Sequence, residues 1–315
     1  MNPTRILVTG ANGFVGSRLV AELLQRGCAV VSAVRQSADN SQLAVGHIDS
    51  NTDWHMALQG ISTVIHTAAR VHVMNEVAAD PMAEFREVNV GATLNLARQA
   101  ASSGVRRFIF VSSVKVNGES TTDVPFSAFD VPAPQDFYGQ SKLEAETALR
   151  ALAIETGLEV VIVRPPLVYG ENVRANFLRL MKLSTLGLPL PLGGIKNRRS
   201  MIALDNLVDV LIACVEHPDA ANQVFLVSDD HDVGLSELMK LMATAGGKNL
   251  WLIPAPIKLM SLCAKILGKS SVTERLFGSL QVDIEHTKNT LNWRPVVSIE
   301  DALRKTVAHL FAQEK

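Results

Sequence analysis

Tyr138 and Lys142 stand four residues apart in a stretch with helical patterning, 138–155, and so share one face of a helix. An ammonium beside a phenol favours the phenolate and lowers the phenol from its ordinary pKa of about 10, which makes tyrosine a usable proton donor and acceptor near neutrality. Ser112 and Ser113 supply two hydroxyls directly after the apolar run 105–111. A phenol, an amine and a hydroxyl together suit proton transfer at an oxygen. Taken singly each is ordinary, since tyrosine and lysine meet at this spacing in many helices and serines at strand ends often only cap turns. Their meaning comes from the elements that gather them.

Those elements begin with Ile6-Leu7-Val8, followed by Thr9-Gly10-Ala11-Asn12-Gly13-Phe14-Val15-Gly16 and an amphipathic segment ending near Arg26, which reads as strand, glycine turn and helix. Gly10 can take a tight turn, Gly13 can let a pyrophosphate approach the backbone, and Gly16 can let the helix lie close to its strand. The free N–H groups at the positive end of that helix form an anion site fitting a dinucleotide phosphate; glycines alone also fit an ordinary βα turn. Residues 29–34 form a second strand ending Val34-Arg35, where an acid would bind the ribose 2′-OH of NAD. A guanidinium there suits a 2′-phosphate and favours NADP(H) over NAD(H), against the plainer reading of a solvated arginine. Residues 61–67 run as a buried strand into Ala68-Ala69, small enough for the backbone to lie near a cofactor. A helix over 81–103 carries Asn89 amid Val88, Val90, Leu94 and Leu96, either bridging backbone near the site or satisfied structurally.

The strand over 105–111 delivers its serines to the carboxyl edge of the sheet, where open parallel sheets bind ligands. A stretch through Pro125, Asp130, Pro132 and Pro134 breaks helix and fits a lid or substrate loop. A helix over 205–214 and a strand over 224–228 return to the large sheet. Strands alternating with helices predict an α/β fold, a Rossmann-type doubly wound parallel sheet with a smaller, mixed C-terminal substrate lobe. The expected division is 1–168 plus 201–230 for the dinucleotide-binding domain and 169–200 plus 231–315 for the substrate lobe, with no internal repeat or low-complexity linker.

Thirty basic against 31 acidic residues in 315 leave no basic face for nucleic acid. Cys28, Cys214 and Cys263 lack metal-ligand spacing, so no metal is expected, and free thiols suit a reducing cytoplasm. The N-terminus enters a strand almost at once, which leaves no room for a signal peptide. No uncharged apolar run reaches the ~20 residues of a spanning helix. The most apolar late stretch, 252–267, is interrupted by Lys258 and Lys265 and reads as a helix lining the substrate lobe, with surface membrane contact as the alternative.

Gly10, Gly13 and Gly16, the strand-end serines, Asn89 and the Tyr138/Lys142 pair resemble the extended short-chain dehydrogenase/reductase family, the NAD-dependent epimerase/dehydratase group. Arg164-Pro165-Pro166-Leu167-Val168-Tyr169-Gly170, Arg199-Ser200-Met201-Ile202 and Leu291-Asn292-Trp293-Arg294-Pro295 resemble its nucleotide-sugar branch of 4-epimerases, dehydratases and 4-keto reductases, over about 4–310. The resemblance implies that Tyr138 is the acid/base and that Lys142 holds the nicotinamide ribose and tunes Tyr138. Ser113, five residues before Gly118, matches the hydroxyl that hydrogen-bonds the reacting sugar oxygen, with Ser112 as understudy. Cofactor contacts are implied at Gly10, Asn12, Gly13, Phe14, Val15, Gly16, Arg35, Ile48, Asp49, Ala68, Ala69, Asn89 and Pro165. Asn176 and Phe177 fall where the branch grips uridine or diphosphate, and Arg199 and Arg275 where guanidinium would meet the diphosphate.

Three positions depart from the family's pattern: Val34 where epimerases have an acid, Asn117 where a tyrosine precedes Gly118, and His47 where an aspartate meets adenine, with Asp49 close by. The expected activity is NADPH-dependent reduction at C4 of a UDP-4-keto-6-deoxy-N-acetylhexosamine, because a reductase exchanges its cofactor at every turnover and NADPH is the natural reductant. A UDP-glucose or UDP-N-acetylglucosamine 4-epimerase would use the same residues and is the alternative. A dinucleotide-binding sensor or scaffold without catalysis should lack the tyrosine, lysine or serine. The resemblance further implies a homodimer through helices 81–103 and 138–155, and a place in surface-polysaccharide synthesis.

Overall fold

The computed structural model describes residues 4–38, 41–71, 80–256 and 277–313. Its first half alternates β1 (Arg5–Thr9), α1 (Phe14–Gln25), β2 (Ala29–Val34), β3 (Gln42–Ala44), α2 (His55–Leu58), β4 (Thr63–His66), α3 (Pro81–Arg86), α4 (Ala92–Ser102), β5 (Arg107–Val111) and α5 (Phe137–Thr156). There follow β6 (Glu159–Arg164), β7 (Leu167–Tyr169), α6 (Ala175–Thr185), β8 (Met201–Ala203), α7 (Leu204–Glu216), β9 (Val224–Leu226), α8 (Leu235–Ala245), α9 (Glu285–Leu291) and α10 (Ile299–Gln313). Seven strands form one parallel sheet in the order β3-β2-β1-β4-β5-β6-β9, and β7 pairs β8 in a separate parallel ribbon. The expected doubly wound fold is therefore present.

Central strands covered on both faces must be apolar at consecutive positions, which is why β4 is buried throughout and β5 at four of its five residues. Ile6 and Val8 point with Ile109, Val161 and Val163 toward α1 and α7, whereas Leu7, Val64, Phe108 and Phe110 face Trp54, Leu96 and Leu149. Chain order reverses at β1, whose neighbours are β2 on one side and β4 on the other. The loops leaving β1 and β4 diverge there and open the crevice in which such sheets bind ligands.

Between α3 and α4 the chain makes a π-helical turn, Glu87–Gly91, where the sequence predicts uninterrupted helix. Asn89 lies in that turn. α5 starts at a cap, Asp136, whose carboxylate accepts from the Gly139 N–H at 2.7 Å, and stops at Gly157 in the left-handed region at φ 75°. The expected strand over 224–228 closes at Leu226.

The smaller lobe packs Phe177 and Met181 of α6, Leu238 and Met242 of α8, and Leu303, Val307 and Leu310 of α10 around Tyr169 and Met201. Leu280, Val282, Ile284, Leu291 and Trp293, expected in this lobe, instead join the core on the α1 and α7 face of the large sheet. Most of the predicted helix over 252–267 lies outside the described residues, and Leu252 itself bridges Leu190 in extended backbone. Among the described residues no helix is long and apolar enough to cross a membrane, and no group of His, Cys, Asp or Glu could hold a metal.

Candidate active site

The glycine turn is closed around its own backbone. Gly10 sits at φ +67°, and a Cβ on it would lie 2.9 Å from the Ala68 nitrogen. A Cβ on Gly16 would lie 2.1 Å from the Gly10 carbonyl oxygen, so α1 can seat against the end of β1 only with hydrogen there. Gly13 is the cap residue of α1 and brings no side chain to it, and Asn12 and Gly13 are exposed. The first N–H groups of α1 thus face outward without a capping oxygen or a first-turn acid. This is a cradle for an anion, and the residues present fit a dinucleotide's diphosphate. Phe14 and Val15 are half-buried against the core. Beneath the turn, His66 stands between the hydroxyls of Thr9 at 2.7 Å and Thr93 at 3.1 Å, and burial, reinforced by the Lys142 charge, brings its pKa down to about 3. A neutral imidazole therefore braces β1 against α4.

At the adenosine end, Arg35 is exposed just past β2. Ile48 packs against the core, and Asp49 accepts from the Asn51 N–H at 2.9 Å and the Thr52 hydroxyl at 3.1 Å, bonds that lower its pKa. Asn89, expected among the cofactor contacts, spends its amide elsewhere. It accepts from the Arg70 N–H at 2.8 Å and donates to the Arg70 carbonyl and the Ser141 hydroxyl, each at 3.0 Å. Its part is to fix the chain that leaves Ala68-Ala69, and the π turn carries it there.

Around Tyr138 the structure corrects one expectation. The phenol lies above rather than below its ordinary value because burial penalises the phenolate, with the Asp136 charge adding to it. The Lys142 ammonium lies 5.9 Å from the Tyr138 ring centroid, donates to the Val111 carbonyl at 2.9 Å and sits 4.4 Å from the Phe110 ring centroid. Burial brings Lys142 down to about 7, opposed by the Glu146 charge. Tyr138 is half-buried, its ring edge-on to Phe85 at 6.3 Å.

The two serines separate cleanly. Ser112 is buried and donates to Glu146 at 2.5 Å, so its hydroxyl is spent, whereas Ser113 is half-buried and only accepts, from the Lys115 N–H at 3.2 Å. Ser113's proton is free to be given to a ligand oxygen. Glu146 also receives two N–H bonds from Arg164, at 2.9 and 2.5 Å, and Arg164 donates to Asn117 at 3.0 Å. Glu146 and Arg164 are 1% and 3% exposed, which makes this the most deeply buried ion pair among the described residues. Sequence reasoning assigned neither a role in the site, although Arg164 opens the motif 164–170 and Glu146 lies one helical turn beyond Lys142.

On the smaller lobe Asn176 is exposed in the first turn of α6. The Phe177 side chain is not available to a nucleotide: it is 4% exposed and stacks on Tyr169 at 5.3 Å. Arg199 is half-buried, donates to the Gly278 carbonyl at 3.0 Å, and has its pKa lowered by burial against the opposing charge of Glu119. Arg275 lies outside the described residues. Pro165 is buried and its carbonyl accepts from the Val114 N–H at 3.0 Å, which pins the turn carrying Ser113 to the start of the β6–β7 link. The proline-rich loop predicted as a lid is tied down by backbone bonds, Thr121 N–H to Ser279 O at 2.9 Å, and Phe126 N–H to Gln281 O and Asp283 N–H to Phe126 O at 2.8 Å each.

The profile described as "NAD dependent epimerase/dehydratase family" matches residues 6–228, from β1 past β9. The chain belongs to that family. It is 49% identical to the UDP-glucose 4-epimerase of Vibrio cholerae over 317 aligned residues, 99% of this chain and 96% of that protein. Among solved structures, the UDP-glucose 4-epimerase of Thermotoga maritima with UDP-glucose superposes with a TM-score of 0.78 at 23% identity, covering 99% of this chain and 100% of the other. MoeE5 in complex with UDP-glucose and NAD gives the same score at 25% identity and the same coverage. The protein is thus an enzyme of the extended short-chain dehydrogenase/reductase type, as Tyr138, Lys142 and the glycine turn predicted.

Proposed function

We propose that the protein is a UDP-sugar 4-epimerase, with UDP-glucose or UDP-N-acetylglucosamine and their C4 epimers as substrates. The observation that carries this reading is the 49% identity to a UDP-glucose 4-epimerase along 99% of the chain. It reverses the preference for a reductase, whose main support was indirect. Arg35 points to NADPH, and NADPH to net reduction. An exposed guanidinium past β2 can also stack on adenine, so it does not demand a 2′-phosphate. The resident cofactor in this reading is NAD, held at the first turn of α1.

Bound NAD supplies the hydride acceptor and donor for C4 of the sugar. Tyr138, once its own proton has passed to solvent and as the phenolate that the positive charge of bound NAD favours, takes the C4 hydroxyl proton and later returns it, while Ser113 donates a hydrogen bond to the same oxygen. Lys142, anchored to Val111, places the ribose and brings positive charge toward the phenol. Arg199 and Asn176 hold the nucleotide end while the sugar turns over to present its other face. Nothing in that cycle consumes reductant.

Purified protein mixed with UDP-glucose is therefore expected to yield UDP-galactose by anion-exchange chromatography, with no change in absorbance at the NADH band. Cofactor released by denaturation should be NAD rather than NADP. Oxidation of added NADPH in step with reduction of a UDP-4-keto sugar, without epimerisation, would return the reductase reading.

The same reading includes a homodimer, formed by α3, α4 and α5 with their counterparts across a twofold axis. Light scattering at micromolar concentration is expected to give about twice the 34.1 kDa chain mass. A monomer under those conditions rules this assembly out.

A further inference from the structure

Ser113 can act on the same oxygen as Tyr138 only if two separate pieces of chain, the turn after β5 and the first turns of α5, are held in one register. The two pieces run antiparallel and touch at three places. Ser112 donates to Glu146, Val111 accepts from Lys142 at 2.9 Å, and Lys115 pairs with Asp136. Asp136 is also the cap of α5, through its other carboxylate oxygen. The attachment points on α5, Asp136 and Glu146, therefore bracket Tyr138 and Lys142, and those on the turn, Ser112 and Lys115, bracket Ser113. The backbone approach is as close as it can be, since a Cβ on Gly139 would lie 2.8 Å from the Lys115 carbonyl oxygen. Lys115 is held from a second side by Glu119 at 2.8 Å, so its ammonium is fixed rather than swinging in solvent.

We propose that Asp136 and Lys115 are positioning residues for the reaction, a clamp that complements the Ser112–Glu146 contact and sets the Ser113 hydroxyl against the Tyr138 phenol. Neither touches the substrate; both act through the distance between two hydroxyls. The proposal rests on the proton-transfer roles given to Tyr138 and Ser113 above. Loose placement of reacting groups by an ångström costs rate in the chemical step and leaves binding alone.

Asp136→Asn keeps an oxygen to cap α5 but loses the ion pair, and Lys115→Met removes it from the other side. The full-length enzyme with bound cofactor is assayed on whichever of UDP-glucose or UDP-N-acetylglucosamine the unaltered protein interconverts. Each variant is expected to lose roughly tenfold in kcat with KM, cofactor content and melting temperature unchanged, and the double variant to lose little more, as for two halves of one contact. Lys115→Arg restores the charge and should recover most of the rate lost by Lys115→Met. Tyr138→Phe is measured beside them. If it abolishes turnover while Asp136→Asn and Lys115→Met keep the unaltered kcat, the clamp is wrong and the proton-transfer reading stands. If Tyr138→Phe keeps full turnover, that reading fails and the clamp with it. Losses that track melting temperature or cofactor content reduce the pair to a folding contact and overturn the proposal.

Discussion

Tyr138→Phe leaves a folded protein that retains its cofactor and loses turnover by about 10²- to 10⁴-fold, the usual share of a positioned general acid–base. The substitution removes one oxygen and keeps the ring, so the edge contact with Phe85 at 6.3 Å survives. Among the described residues, neither Ser112 nor Lys142 can stand in for the phenol. Ser112 is bound to Glu146, and the Lys142 ammonium is bound to the Val111 carbonyl. Burial holds the phenol's pKa above its ordinary value, so its proton is a poor one to remove until positive charge comes close. The Lys142 ammonium is already in place, so a bound nicotinamide is the charge this reading assigns to that task. The check is the initial rate of UDP-sugar interconversion with circular dichroism and cofactor content measured on the same preparation. A loss below about tenfold would remove Tyr138 from the acid–base role.

Glu146→Ala is expected to be the costliest single change in the site for stability. It leaves the Arg164 guanidinium, 3% exposed, with Asn117 alone, and it leaves the buried Ser112 hydroxyl without its acceptor. Removing one partner of such a pair costs roughly 3–5 kcal/mol, because the remaining charge stays out of water without compensation. Replacing both partners by apolar residues of similar size removes the stranded charge. Glu146→Met with Arg164→Met should therefore recover most of the lost stability while leaving the Ser112–Ser113 turn unanchored and catalysis poor. Urea unfolding followed by circular dichroism measures the first part, and turnover of the double variant the second. A Glu146→Ala protein as stable as the unaltered chain would mean that water reaches Arg164.

The family match brings the fold and the enzyme class, and the physical reading explains why those residues serve. Three glycines, two serines, a tyrosine and a lysine were legible because each meets a local demand: a positive φ, a close approach, a strand end, a helical face. Which serine is free was not legible. Glu146 decides that from 34 residues away in the chain by accepting the Ser112 hydrogen bond. The anchors of the proline-rich loop at Ser279, Gln281 and Asp283 were not legible for a similar cause, since they are far off in sequence. Asn89 was placed near the site, yet its partners, the Arg70 backbone and Ser141, lie on two other segments and become neighbours only through the π turn. The preference for reduction over epimerisation rested on a single exposed arginine, and the two reactions share every residue that local pattern can identify.

By itself the amino-acid sequence marked β1, β2, β4 and β5 with the helices α1 and α5, the glycine turn and the shared helical face of Tyr138 and Lys142, because these depend on periodicity and on backbone freedom within a few residues. The tertiary structure alone decided which hydroxyl is free to donate, that the phenol's pKa rises, and how two pieces of chain are held in register. Those outcomes depend on burial and on hydrogen bonds between distant segments, and neither exists until the sheet has brought β5, α5 and β6 together.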